Sequence, residues 1–141
     1  MLFRSVSLIK TAGNSHGHII LRGGKAPNYD SVDIAMLEQQ LKEENLPPRF
    51  VVDCSHGNSQ KDFHRQPLVL HNVIEQICHG NQSIIGVMLE SHLKEGRQSI
   101  NKDPKQLEYG VSITDACISW ETTTKVLDEC YQLLDIGVSD I

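Results

Sequence analysis

The stretch RFVVDCSHGNS (49–59) passes from a β-type apolar core into a carboxylate, a histidine and a Gly-Asn-Ser turn. Two other stretches repeat the plan. HIILRGG (18–24) ends on Arg22 and a glycine pair, and SIIGVMLESH (83–92) ends on Glu90. A fourth, VSITDAC (111–117), carries Asp115. Residues 18–22, 49–53 and 83–89 read as strands; the third is almost wholly apolar, as expected for a strand covered on both faces. The segments between them read as helices. Ile34, Leu37 and Leu41 recur at helical spacing behind a capping Asp30 or Ser31. Glu38 and Lys42 form an i,i+4 pair on the other side, and the helix stops near residue 44, ahead of Asn45, Pro47 and Pro48. Pro67 suits the first turn of a second helix, whose apolar stripe is Leu70, Val73, Ile74 and Ile77 and whose end is Gly80. Thr122 or Thr123 can cap a last helix carrying Val126, Leu127, Cys130, Leu133 and Leu134. The tail DIGVSDI reads as loose.

Strands separated by helices of this length imply right-handed βαβ crossovers and a parallel sheet. All strand ends then lie on one side. Arg22, His56 and Glu90 would share a rim although they are far apart in sequence, as at the C-terminal face of a (β/α)8 barrel. The chain has 141 residues, whereas a whole barrel typically needs ~250. The fold is therefore expected to be α/β, either a smaller domain or part of a barrel.

A net charge of −5 and a pI near 5.7 argue against general binding to nucleic acid or to anionic membranes. No apolar run reaches the ~20 residues of a membrane span. The opening MLFRSVSLIK has no sustained apolar segment and no small-residue cleavage site, so a cytoplasmic location is the default expectation. Cysteines at 54, 78, 117 and 130 form no CxxC pair and suggest no disulfide framework. Cys78 and Cys130 read as packing thiols on helix faces; Cys54 and Cys117 lie beside the candidate site.

His is the commonest metal ligand, and a ligating His usually gives its other N–H to a carboxylate or carbonyl. Asp53 is a candidate to accept from His56 but could as easily bond a neighbouring loop, and a single loop histidine is more often no ligand at all. Glu90, at the end of a buried strand, needs a partner, which a salt bridge or a metal would supply. Asp115 either caps a turn or joins the same site. Together, one His and two carboxylates suit a divalent ion of the Mn, Fe, Co or Zn kind. Arg22 before Gly23-Gly24 offers a planar fork for phosphate or carboxylate, with backbone able to come close, or else a surface salt bridge. Lys61, Arg65 and Arg97 read as solvated loop charges. The other six histidines show no ligand-like spacing.

The blocks GHIILRGGKAPNYDS, VVDCSHGNSQKD with RQP, IIGVMLESHLKEGRQS and YGVSITDACISWE closely resemble the C-terminal portion of the microbial type I 3-deoxy-D-arabino-heptulosonate 7-phosphate (DAHP) synthases. The resemblance runs from about Gly13 to about Leu134. It implies the C-terminal part of a (β/α)8 TIM barrel, with about three parallel strands and their helices. Residues 1–141 would be a single partial-barrel domain, family-like over 13–134 and divergent over 1–12 and 135–141. It implies an enzyme that joins phosphoenolpyruvate to erythrose 4-phosphate, the entry step of the shikimate route to aromatic amino acids. Metal ligation would fall to His56, Glu90 and Asp115. His56 would also serve catalytically in proton or water delivery. Arg22 would contact the phosphoenolpyruvate phosphate, and Asp115 would also touch the aldose phosphate. The family's fourth metal ligand, a cysteine, and its main Lys and Arg cluster lie upstream of the matching blocks; Cys117 matches a thiol near the metal, not that ligand. The chain is therefore expected to be inactive alone. A homo-oligomer or a complementary N-terminal half is the implied protein partner. The alternative is a non-catalytic module that docks on a full-length subunit or a complementary half-barrel through exposed strand edges.

Overall fold

The computed structural model describes residues 8–100 and 103–139, the last four of these by backbone alone. Three strands alternate with three helices. They are β1 (Ile19–Leu21), α1 (Ser31–Glu43), β2 (Phe50–Asp53), α2 (Gln66–Cys78), β3 (Ile84–Met88) and α3 (Trp120–Ser139). Short 3-10 turns lie at Phe63–Arg65 and Pro104–Gln106. The strands form one parallel sheet in the order β1-β2-β3, with Ile20 opposite Val51 and Asp53 opposite Met88. This is the α/β layering that alternating strands and helices dictate, and it puts every strand exit on one side.

The helix ends follow their local chemistry. Asp30 caps α1 by accepting from the N–H groups of Val32 and Asp33, both at 2.9 Å. Asn45 ends it at φ 56°, while Leu46 N–H reaches back to Leu41 O at 2.8 Å. Gly80 does the same for α2 at φ 94°, with Asn81 N–H on Gln76 O at 3.0 Å. Both are left-handed caps that satisfy carbonyls the helix leaves open.

The core has two parts. Leu21, Phe50, Val52 and Ile84 on one sheet face pack with Ile34 of α1 and Val73 of α2. Cys54, Val69, Leu70 and Ile74 pack with Val126 and Cys130 of α3. Cys130 is thus a core thiol, and Cys78 packs at the edge of the same cluster.

Four expectations are corrected. β3 is not covered on both faces: Ile85 and Met88 are 54 % and 42 % exposed, and Ile20 of β1 is 50 % exposed. The helices lie on one face only, and the other presents apolar side chains uncovered by any described residue. A register shift opposite Phe50 and Val51 leaves Ile85 as the extra residue of a bulge. Glu38 does not pair with Lys42. It accepts instead from Asn81 Nδ2 at 3.2 Å and from Ser83 Oγ, because those groups sit at the start of β3 within its reach. The last helix starts at Trp120, since Ser119 Oγ accepts from Thr122 N–H at 3.1 Å and is the cap. That helix also runs on to Ser139, so residues 135–139 are helical, not loose; the remainder of the tail lies outside the described residues.

Candidate metal and anion site

β2 ends at Asp53, and the next residues turn sharply. His56, Gln60 and Lys61 all have positive φ, at 45°, 56° and 63°. Left-handed backbone is uncommon outside glycine and clusters where a structure over-determines it. Here the turn is closed by Ser59 N–H on Ser55 O at 3.1 Å and Lys61 N–H on His56 O at 2.7 Å. The turn is also pinned to the exit of β1. Gly57 N–H donates to Arg22 O at 3.1 Å. The buried Asn58 amide donates to Leu21 O at 2.9 Å and to Asp53 O at 2.8 Å, and its oxygen accepts from Asn28 N–H at 2.9 Å.

Asp53 is 1 % exposed and its carboxylate is fully engaged. Oδ1 accepts from Ser55 N–H at 2.9 Å and from Ser55 Oγ. Oδ2 lies 2.8 Å from His56 Nδ1, with Ser55 Oγ also 2.7 Å from that nitrogen. The Ser55 hydroxyl proton is committed to Asp53, so the Nδ1 proton belongs to the imidazole. Nε2 lies 3.4 Å from Glu90 Oε1 and 3.7 Å from Asp115 Oδ2.

Glu90 comes from the segment just past β3, as the sequence suggests. Asp115 does not follow a strand. Among the described residues VSITDAC and the following Ile118 make only isolated bridges, Arg97 to Ser112, Gly96 to Cys117 and Ser91 to Ile118, which hold residues 91–97 against this segment. His56, Glu90 and Asp115 nonetheless each offer one ligand atom, all within 4.8 Å of one another. Burial holds the Glu90 carboxyl above its ordinary range; His56 opposes the shift, and Asp115 and Asp53 add to it. An imidazole nitrogen and two carboxylates crowded this closely fit a divalent cation, which would offset the repulsion between the carboxylates.

Arg22 sits at the same rim, with Nε 3.9 Å from Asp53 Oδ2. Its side chain is 63 % exposed. It is not among the residues lining the cleft of about 340 Å³ beside the triad. Those are Ser55, His56, Ser59, Lys61, Phe63, Gln66, Glu90, Arg97, Asp115 and Ala116. Lys61 and Arg97 are exposed, as loop charges should be, yet both border this cleft. Arg65 turns to Gln60 instead. Cys54 is buried, its thiol pushed up to about 12 by burial and then by Asp53. Cys117 is buried with its thiol raised as well, mainly by burial, and Sγ rests on Asp115 O at 3.5 Å. Neither is an activated thiolate.

A family model described as the DAHP synthetase I family matches residues 1–128. The chain belongs to that family. It is 54 % identical over 127 residues to the Tyr-sensitive phospho-2-dehydro-3-deoxyheptonate aldolase of Salmonella typhimurium, covering 90 % of this chain and 36 % of that protein. The Tyr-sensitive enzyme of Escherichia coli is 53 % identical over 130 residues, covering 92 % and 36 %. Among solved structures, the phospho-2-dehydro-3-deoxyheptonate aldolase of Francisella tularensis superposes with a TM-score of 0.83 at 43 % identity, over 90 % of this chain and 37 % of that one. The chain thus spans about a third of the length of these DAHP synthases. Its three strands and helices are the α/β layer of a partial TIM barrel. No helix among the described residues is long and apolar enough to cross a membrane.

Proposed function

We propose that this chain supplies the metal-binding and one anion-binding element of a DAHP synthase site, which condenses phosphoenolpyruvate with erythrose 4-phosphate. The observation that carries the reading is the convergence of His56 Nε2, Glu90 and Asp115 within 4.8 Å, with Asp53 fixing the imidazole tautomer. A divalent ion bound there, of the Mn, Fe, Co or Zn kind, supplies Lewis acidity toward a carbonyl oxygen. The chain's own side chains do the rest of what is proposed. His56 Nε2, Glu90 and Asp115 hold the ion. The exposed Arg22 fork takes the phosphate of phosphoenolpyruvate, with Asp115 at the aldose side of the cleft. His56, fixed by Asp53, places the ion where a water that it held could be delivered beside the imidazole. In the reaction C3 of phosphoenolpyruvate bonds to the aldehyde carbon, water adds at C2 and phosphate leaves.

Two phosphorylated substrates call for several cations, and the rim of this chain offers Arg22, with Lys61 and Arg97 at the cleft. The complete site therefore draws on further residues, contributed by a complementary half-barrel or a full-length subunit. The uncovered apolar face of Ile20, Ile85 and Met88 favours the same docking. The test is a product assay on metal-free chain supplied with Mn²⁺ and both substrates. The chain alone is expected to show no turnover, and addition of an N-terminal half-barrel from a homologue is expected to restore it. Turnover by the chain alone, or none in the reconstituted mixture while the two parts co-elute, would contradict the proposal.

A further inference from the structure

Gln66 is the first residue of α2 and is wholly buried. A long polar side chain in such a place needs partners. It finds both on one residue: Nε2 donates to Glu90 O at 3.1 Å, and Oε1 accepts from Glu90 N–H at 2.8 Å. A primary amide presents a donor and an acceptor side by side, so it grips a backbone unit as a neighbouring strand would. The position of this grip matters. The sheet's last rung here is Cys54 N–H on Met88 O at 2.9 Å, two residues before Glu90. Beyond it the segment meets only the isolated Ser91–Ile118 bridge among the described residues, in which Ile118 N–H donates to Glu90 O at 3.0 Å. Among the described residues, the Glu90 N–H has Gln66 as its acceptor. Gln66 also borders the cleft, beside His56 and Asp115.

We infer that Gln66 is a positioning residue for the metal site: it holds the Glu90 backbone beyond the end of the sheet, so that the carboxylate meets His56 Nε2 and Asp115 with no rearrangement. This rests on the reading of His56, Glu90 and Asp115 as metal ligands. The second side chain with this kind of role, Asp53, acts on the histidine; Gln66 acts on the glutamate from a different element, which divides the orientation of the site between β2 and α2. A helix-capping role alone would tie Gln66 to stability and leave metal affinity untouched.

The experiment uses the full chain, stripped of metal and titrated with Co²⁺, read by visible absorption, with thermal unfolding followed on the same samples. The wild type binds. Gln66→Met fills the same space without either hydrogen bond, and is expected to melt cooperatively yet to lose about 10–100-fold in Co²⁺ affinity, with an altered absorption band. Gln66→Glu keeps an acceptor for the Glu90 N–H and is expected to fall between the two. Either folded variant binding as tightly as the wild type, with an unchanged band, overturns the inference while leaving the metal site standing. A wild type that takes no Co²⁺ overturns the metal reading itself. Should neither variant fold, the side-chain NH₂ resonances of Gln66 in the wild type decide: they shift on Zn²⁺ loading if the inference holds, and stationary resonances overturn it.

Discussion

Replacing Gly23 by alanine tests how the rim is assembled. Gly23 has φ 73°, and a Cβ built there meets Gly57 C at 2.6 Å, Asn58 N at 2.7 Å and Asn58 Oδ1 at 2.9 Å. The contact is reciprocal, since a Cβ on Gly57 would meet Gly23 C at 2.8 Å and Arg22 O at 3.0 Å. Two of the obstacles are backbone atoms held by the Gly57-to-Arg22 bond, and the third is the Asn58 amide oxygen, fixed by that side chain's own hydrogen bonds, so none swings aside readily. The left-handed backbone contributes roughly 1–2 kcal/mol and the overpacking roughly 1–3 kcal/mol, so Gly23→Ala should destabilise by about 2–5 kcal/mol. Gly24→Ala is the internal control, because nothing lies within 4 Å of its Cβ position. The assay is urea unfolding of the whole chain, with the two midpoints compared at a common slope. The reasoning also requires Gly23→Ala to lower metal affinity, because separating the two loops moves His56. It is refuted if Gly23→Ala stays within about 0.5 kcal/mol of the wild type, the range of an ordinary surface change.

Three further outcomes follow from the site. In a complete homologue, alanine at the positions of His56 or Glu90 should abolish synthase activity with little loss of folding; activity retained in either variant, measured with saturating metal, removes that residue from the site. Asp53→Asn should leave the chain folded but weaken Co²⁺ binding about 10–100-fold, because the amide no longer commits the Nδ1 proton; unchanged affinity in calorimetric titration counts against the tautomer assignment. Cys54 should resist a thiol reagent in the native chain. Its raised pKa means that between 9.0 and about 12 the folded chain keeps a proton the unfolded chain releases. Stability must therefore fall as pH rises through that window, by at most about 1.4 kcal/mol per unit. Urea midpoints near pH 8 and pH 10 in wild type and Cys54→Ala would show it, and equal slopes in the two would contradict it.

Much of this was legible in the sequence because local chemistry dictated it. Asp30, Asn45 and Gly80 mark helix ends with groups that cap them wherever they occur, and apolar runs broken by Arg22, His56 and Glu90 mark strand exits. What was not legible depends on long-range partners. Glu38 prefers Asn81 and Ser83 over its helical neighbour Lys42, and nothing in either segment announces that pairing. Thr122 or Thr123 reads as the cap of α3 where Ser119 serves, because position 122 lacks the Glu or Gln that would complete a capping box with Ser119, and the tail reads as loose although α3 runs on to Ser139. Nothing in the sequence singles out Gln66, because a buried amide has no periodicity to betray it. The open side of β3 was misjudged for a different reason: an apolar strand records that both faces are meant to be covered, not which chain segment covers them. Asp115 was found by residue type, although its segment forms bridges and no strand.

A crystal of the chain soaked in Mn²⁺ and measured for anomalous scattering puts the central claim to its most direct trial. A single strong peak is expected within bonding distance of His56 Nε2 and of carboxylate oxygens from both Glu90 and Asp115, with His56 Nδ1 still on Asp53. A peak elsewhere, or at this rim with any of the three side chains turned away, would contradict the account.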